Sequence, residues 1–407
     1  MAKYDVLIVG TGHAGAQTAI ALRQYGFKGS VAMVSEDCAF PYERPPLSKD
    51  YLAGEKPFER LLIRPQTFWA ERDVSVLLKR RVQRVNPDPH YVDLAGGAGL
   101  AYGMLVWAAG GAARRLTCQG ADLSGVHAIR NRADVDRIRT SLPATRRVLI
   151  VGGGYVGLEA AAVLTALGKA VTVVEAQDRV LARVAGPLLS AFYEAEHRAH
   201  GVTMIKNSAV VALEGRAGQV ESALLSDGTR LDTDLVIVGV GISPEVAPLI
   251  EAGARGGNGV DVDSLCRTSL PDIYAIGDCA ARANAFAGGV RMRVESVPNA
   301  NEQATTVARH LTGLTPTPAA PPWFWSNQYD LRLQTIGLSI GHDEAIMRGN
   351  LATRSFSVIY RREGRVIALD CVNAAKDFVQ GRALVAGGST LRPADLGDPC
   401  QPLKAMA

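Results

Sequence analysis

The same glycine-rich signature occurs twice in this chain, and that repeat limits the fold more than any other feature. The first copy reads Tyr4-Asp-Val-Leu-Ile-Val-Gly-Thr-Gly-His-Ala-Gly15 and the second Arg147-Val-Leu-Ile-Val-Gly-Gly-Gly-Tyr-Val-Gly157. Each is an apolar, β-branched run that breaks into G-x-G-x-x-G and then becomes rich in alanine and leucine. The pattern predicts strand, tight turn and helix. Gly10 and Gly152 make the turn, Gly12 and Gly154 let a pyrophosphate approach the backbone, and Gly15 and Gly157 let helix and strand pack closely. Tyr155 and Val156 belong to the second turn, at the head of its helix. Phosphates are expected at the helix N-termini, where backbone N–H groups converge.

Each copy is followed by an acid at the end of its second strand. Glu36 lies 24 residues after Gly12, and Glu175 lies 21 residues after Gly154. A carboxylate there accepts hydrogen bonds from an adenosine ribose. Glu175 also bears on nucleotide choice. It would repel a 2′-phosphate, and the residues after it, Ala176-Gln177-Asp178, bring no cation; Arg179 and Arg183 are the nearest. The reading is NADH over NADPH. Two dinucleotide sites in one chain imply electron transfer from one dinucleotide to the other.

The chain has 407 residues, enough for two or three domains, and is 47% hydrophobic and 21% charged, as globular proteins are. A formal charge of +4 without a Lys/Arg block gives no reason to expect nucleic acid, but suits a mildly acidic protein partner. No run is long and apolar enough for a bilayer span, and the first strand starts too early to leave room for a signal peptide. A cytoplasmic monomer is expected. Cys38, Cys118, Cys266, Cys279, Cys371 and Cys400 show neither C-x-x-C nor C-x4-C spacing. A redox dithiol and a zinc or iron–sulfur site are therefore not expected, and no metal is assigned.

The fold class is α/β: two Rossmann-like domains followed by a C-terminal α+β domain, in a glutathione-reductase-like arrangement. The first dinucleotide domain is expected to be discontinuous, over residues 1–113 and 242–321. The second occupies 114–241 and the C-terminal domain 322–407. Buried strands are expected over 105–111, ending in small residues, and over 234–241, ending at Gly241. Four prolines between positions 316 and 322 read as a linker. Three antiparallel strands (331–337, 356–361 and 366–372) and a helix over 376–385 are expected beyond it.

These residues resemble the pyridine nucleotide–disulfide oxidoreductases that lack the disulfide. Arg44-Pro-Pro-Leu-Ser-Lys49, Glu295-Ser-Val-Pro-Asn299 with Glu302-Gln-Ala304, and Trp325-Ser-Asn-Gln328 are similar to the oxygenase-coupled ferredoxin reductases of P450 and dioxygenase systems. The resemblance spans the whole chain, and the Pro-Pro-Leu-Ser-Lys run is its most specific part. It implies FAD in the first domain and NADH in the second, with a [2Fe-2S] ferredoxin as acceptor that serves a P450 or a Rieske oxygenase. It also implies site residues. Asp278, in Ala275-Ile-Gly-Asp278, would meet the FAD ribityl chain. Ala14 sits in the pyrophosphate turn, and Arg44, Lys49, Val82 and Arg130 fall at positions near FAD. Val297, Pro298 and Trp325 would lie at the flavin pyrimidine end. Ala109 stands where relatives usually have threonine. Arg183 and Gly241 are assigned to the nucleotide side.

The sharpest pair is Lys49 with Glu159, which lies two residues after Gly157 and is expected in the first turn of its helix. In relatives the lysine pairs with this glutamate beside flavin N5. A cation there would balance a flavin that gains negative charge on reduction. The plainer role for the two is a surface lysine and a helix-dipole carboxylate. Two other functions fit parts of the chain. Cys38-Ala-Phe-Pro-Tyr42 resembles the single-cysteine site of CoA-disulfide reductases and NADH peroxidases, except that Ala39 replaces the usual glycine. An NADH-sensing flavoprotein of the apoptosis-inducing-factor kind would use the same two sites.

Overall fold

The computed structural model describes residues 2–406. The chain divides into two compact units, one of residues 2–43, 58–112 and 243–324, the other of residues 44–57, 113–242 and 325–406.

The first unit is built on a seven-stranded sheet. Strand Ala2–Val9 is its centre and pairs in parallel with Val31–Val34 and Gly99–Trp107. Val74–Leu77 extends one side, and Tyr91–Leu94 and Val82–Asn86 extend the other. Ile273–Ala275 returns late in the chain to pair in parallel with Gly99–Trp107. The buried ends of these strands are unbroken aliphatic runs, as expected when a parallel sheet is covered on both faces. Helices His13–Gln24 and Val297–Leu311 pack against each other through small residues, with Ala16, Ala19, Ala304 and Ala308 buried in one core. The strand expected over 105–111 stops at Trp107. The small residues after it leave the sheet to pass under the first glycine turn: a Cβ on Gly10 would fall 2.3 Å from the Ala108 carbonyl oxygen.

The second unit repeats the plan with five parallel strands. The order is Thr203–Ile205, Ala170–Val174, Arg147–Val151, Leu235–Val238 and Val126–Ala128. A small antiparallel sheet, Val210–Arg216, Gln219–Leu225 and Arg230–Asp232, packs into the same core. The C-terminal part holds five strands, not three, in the order Trp323–Gln328, Leu331–Gly337, Arg365–Val372, Ser355–Arg362 and Glu344–Asn350.

The two additional strands lack the alternation that marks a half-buried strand. Trp323–Gln328 is three aromatics in succession, then polar residues. Glu344–Asn350 carries a buried arginine, Arg348. That guanidinium pairs with Asp377 at 3.0 Å and donates to the carbonyls of Leu396 and Gln401, which fastens the end of the chain. Helix Ala375–Gly387 covers the sheet, and Gly381 lies where a Cβ would come within 2.4 Å of Leu369.

Candidate functional site

In the first unit the turn from Ala2–Val9 into His13–Gln24 has the geometry its sequence predicts. Gly10 has φ +110°, and a Cβ on Gly15 would sit 2.0 Å from the Gly10 carbonyl oxygen. Both glycines are required by the protein itself. Gly12 is different. It caps the helix at φ −72°, ψ −169°, a conformation open to any residue, and no side chain caps the helix there. The N–H groups at a helix N-terminus, beside a residue with no side chain, suit an anion.

The elements around that turn bring several predicted residues together. Ala109 lies against Gly10, and Gly277 lies 3.2 Å from Ala14 at its notional Cβ, which puts the adjoining Asp278 beside the turn. Gly277 donates its N–H to Gln303 of helix Val297–Leu311 at 2.7 Å, and Arg293 donates to the Asp278 carbonyl at 2.7 Å. Val297 and Pro298 open that helix, capped by Ser296. Val82 is buried in the same cluster as Val9, Val34 and Ala109. Glu36 stands just past Val31–Val34, exposed, with Arg81 3.2 Å away.

The second unit shows the same turn with one addition. Gly152 has φ +106°, and a Cβ on Gly157 would sit 2.2 Å from the Gly152 carbonyl oxygen. Gly154 caps the helix at φ −79°, and a Cβ there would meet no protein atom closer than 3.9 Å. Packing within the protein therefore leaves room for a side chain at 154, unlike at Gly152 and Gly157. Tyr155 follows half-buried, and Val156 leaves 41% of its surface exposed at the helix head. The addition is Glu175. Its carboxylate accepts from the Gly153 N–H at 2.7 Å and from the Gln177 N–H at 2.8 Å. The acid is thus part of the turn and keeps further acceptor capacity for a ribose.

The two cations that follow Glu175 in sequence have separate fates. Arg179 folds inward and donates to the carbonyls of Ala182 and Ala185 and to Ser190. Arg183 stays exposed with its guanidinium 3.5 Å from the notional Cβ of Gly241. Arg44 donates to the Arg130 carbonyl at 2.6 Å, which joins two more predicted residues.

Lys49 and Glu159 meet, with Nζ and Oε2 2.7 Å apart. Glu159 is not in the first turn of its helix. It is the fifth residue of Tyr155–Ala166 and is 3% exposed, so a helix-dipole role at the surface does not apply. Ser48 Oγ donates to the same carboxylate at 2.5 Å and Ser326 Oγ at 2.7 Å. One cation and two hydroxyls surround a carboxylate that would be very costly to bury alone. Ser48 and Ser326 went unassigned in the sequence although both lie inside noted motifs. No hydrophobic alternation marked them: the fully buried positions of Trp323–Gln328 are the polar Ser326 and Gln328, while Asn327 is exposed and Trp325 half-buried.

A second buried acid had no sequence signal. Asp370, on Arg365–Val372, is 5% exposed and accepts from Tyr360 Oη at 2.8 Å. Burial pushes its carboxyl up to about 7. Its charge, when present, falls on Tyr155 and Tyr193, whose phenols burial also pushes up. Among the described residues no group of His, Cys, Asp and Glu is placed to hold a metal ion.

Two dinucleotide turns on parallel sheets define a pyridine-nucleotide flavoprotein, and comparison with known proteins agrees. Residues 4–304 match the family described as pyridine nucleotide-disulphide oxidoreductase, and residues 323–407 match the reductase C-terminal family. The chain is 58% identical to the 5,5′-dehydrodivanillate O-demethylase ferredoxin reductase subunit of Sphingobium sp. (strain NBRC 103272 / SYK-6), over 100% of this chain and 99% of that one. It is 40% identical to putidaredoxin reductase of Pseudomonas putida, over 100% of this chain and 97% of that one. Its backbone matches the reductase in the covalent putidaredoxin reductase–putidaredoxin complex with a TM-score of 0.96 at 39% identity, covering 100% of this chain and 98% of that one. The chain belongs to the pyridine nucleotide–disulphide oxidoreductase family, in its ferredoxin-reductase branch, whose members use FAD and NAD(P)H.

Proposed function

We propose that this chain is an FAD-dependent NADH:ferredoxin reductase that delivers electrons to a [2Fe-2S] ferredoxin serving a P450 or Rieske oxygenase. The observation that carries this reading is the Lys49–Glu159 pair. It joins the Pro-Pro-Leu-Ser-Lys run to the nucleotide helix in a chain whose six cysteines are all free. Without a disulfide, reducing power has no dithiol route out. FAD, when bound, converts the electron pair of a hydride into electrons released singly.

The chain's own residues do the rest. The backbone N–H groups beside Gly12 and Gly154 hold the two pyrophosphates. Glu175 accepts from the ribose and disfavours a 2′-phosphate, and the inward fold of Arg179 removes one cation that would have offset it. Lys49 supplies positive charge where reduction adds negative charge, and Glu159, held by Ser48 and Ser326, fixes the position of that cation. Free thiols and dependence on NADH suit a cytoplasmic protein.

The test is steady-state reduction of cytochrome c by NADH, with and without candidate [2Fe-2S] ferredoxins. Turnover should depend on ferredoxin and be much weaker with NADPH. Turnover of a CoA disulfide or a peroxide that is lost in Cys38→Ser would replace this reading with the single-cysteine one.

A further inference from the structure

Glu159 is also the inner end of a longer chain of hydrogen bonds within the second unit. Ser326 Oγ lies 2.7 Å from Glu159 Oε1 and 3.2 Å from Gln328 Nε2. Gln328 Oε1 lies 2.8 Å from His197 Nε2, and His197 Nδ1 lies 2.9 Å from Tyr329 Oη. Ser326, Gln328 and His197 are buried, and only Tyr329 is part-exposed.

The carboxylate fixes the direction of every bond in this chain. An ionised carboxylate only accepts, so the one Ser326 hydroxyl proton is committed to Glu159. The second Ser326 contact must then come from a donor, which is the Gln328 amide nitrogen. That turns the Gln328 oxygen toward His197, so Nε2 carries the imidazole proton. Nδ1 is left as an acceptor, and Tyr329 must donate to it. All four donors point the same way, toward the negative charge. Bonds aligned head to tail polarise one another, most strongly where water is excluded. An amide does not relay a proton under these conditions, so the chain transmits orientation and polarity but not protons.

Two further features agree. Burial pushes the His197 imidazole down to about 4, which keeps it neutral with a single N–H. Tyr329 occupies the left-handed region at φ +55°, costly for a bulky aromatic in a turn where glycine or asparagine would be relaxed. Its ring stacks on His200 with centroids 3.7 Å apart, which aims the hydroxyl inward. A strained position that keeps a tyrosine is explained when the tyrosine hydroxyl is used.

We infer that Ser326, Gln328, His197 and Tyr329 form a one-way hydrogen-bond relay that positions the Glu159 carboxylate, and through it the Lys49 cation, for hydride transfer from the nicotinamide. They are positioning residues, since they act through Glu159. The inference rests on the reading of Glu159 as the nicotinamide-side carboxylate.

The test uses the FAD-loaded protein labelled with 15N-histidine. Long-range 1H–15N NMR should show the resonance that disappears in His197→Asn as a neutral Nε2–H imidazole, unchanged down to about pH 5. In Glu159→Gln an amide replaces the obligate acceptor, so the relay can reverse, and the His197 shifts should move or the tautomer change. Ser326→Ala should move them too, and Ser326→Thr, which keeps a hydroxyl, should restore them. Thermal melts and flavin absorbance identify any variant that fails to fold; Tyr329→Phe, the mildest change, still reports the outer end. In Tyr329→Phe the rate of flavin reduction at saturating NADH should fall severalfold with the nucleotide Kd unchanged. An Nδ1–H tautomer in the wild type, or His197 signals identical in wild type, Glu159→Gln and Ser326→Ala, overturns the relay. If the NMR responses appear but Glu159→Gln reduces its flavin at the wild-type rate, the relay stands, and its placement beside the nicotinamide is overturned.

Discussion

The two glycine turns share a sequence pattern and a backbone, yet they hold their acids differently. Glu36, after the first, stands in solvent with its side chain 65% exposed and Arg81 for company. Glu175, after the second, reaches back to hold the Gly153 N–H within the turn. One acid is an accessory to a finished turn, whereas the other is part of its construction. The fingerprint therefore specifies the turn, but not how much of the turn's rigidity its acid carries. In the second turn the stability of the loop and the nucleotide recognition proposed for it are vested in one side chain.

The comparison is easiest to break at the glycines. Gly15→Ala and Gly157→Ala place a Cβ 2.0 and 2.2 Å from a carbonyl oxygen of the turn. Each should destabilise its unit by several kcal/mol, seen as insoluble protein or a large drop in Tm. Gly154→Ala meets nothing closer than 3.9 Å, so its Tm should match the wild type while NADH binding weakens by about tenfold or more. A normal NADH Kd in Gly154→Ala would mean that the nucleotide does not press on this turn.

Next come the acids. Glu175→Ala leaves the Gly153 N–H without its partner, at a cost of about 1–3 kcal/mol. The NADH kcat/KM should fall by about one to two decades. NADPH should lose less, because the charge clash with its 2′-phosphate goes too, and adding an arginine nearby should shift the preference further. Glu36→Ala should weaken FAD retention only modestly. Equal losses for the two acids would erase the distinction drawn between them.

Asp370 gives a stability effect of a few kcal/mol at most. Its carboxyl titrates near pH 7 in the native state, against 3.8 for an unperturbed aspartate. Between those values the native state keeps a proton that the unfolded chain has released, so this group's contribution to stability falls as pH rises. Above about pH 7 the cost of a buried charge is fully present. Asp370→Asn retains an acceptor for Tyr360 and should raise Tm at pH 8, with the gain vanishing near pH 4. A gain of the same size at both values would show that the carboxyl is ionised throughout. The smallest effect expected is that of Cys38→Ser, since Cys38 is an exposed, free thiol with no partner cysteine. Ferredoxin reduction should not change, and a thiol titration that tracks flavin reduction would contradict this.

Much of the fold was legible because parallel strands buried on both faces write themselves as aliphatic runs, and both turns write themselves as spaced glycines. The Lys49–Glu159 pair was legible only through resemblance, since 110 residues separate the partners in sequence. Its surroundings were not. Ser48, Ser326, Gln328 and His197 are ordinary polar residues until the fold buries them together. Asp370 sits among apolar residues from Val366 to Val372. The strands Trp323–Gln328 and Glu344–Asn350 were missed because functional and ionic side chains interrupt their alternation.

The most direct test of the whole account is an anaerobic, sequential stopped-flow experiment across a salt series. The protein is first reduced with one equivalent of NADH and then mixed with a [2Fe-2S] ferredoxin. Two equivalents of reduced ferredoxin should form per NADH. Formation should slow as ionic strength rises, while the reduction of the protein by NADH stays nearly constant, because backbone N–H groups hold its phosphates. No reduced ferredoxin, or electrons recovered only on a thiol, would contradict the account.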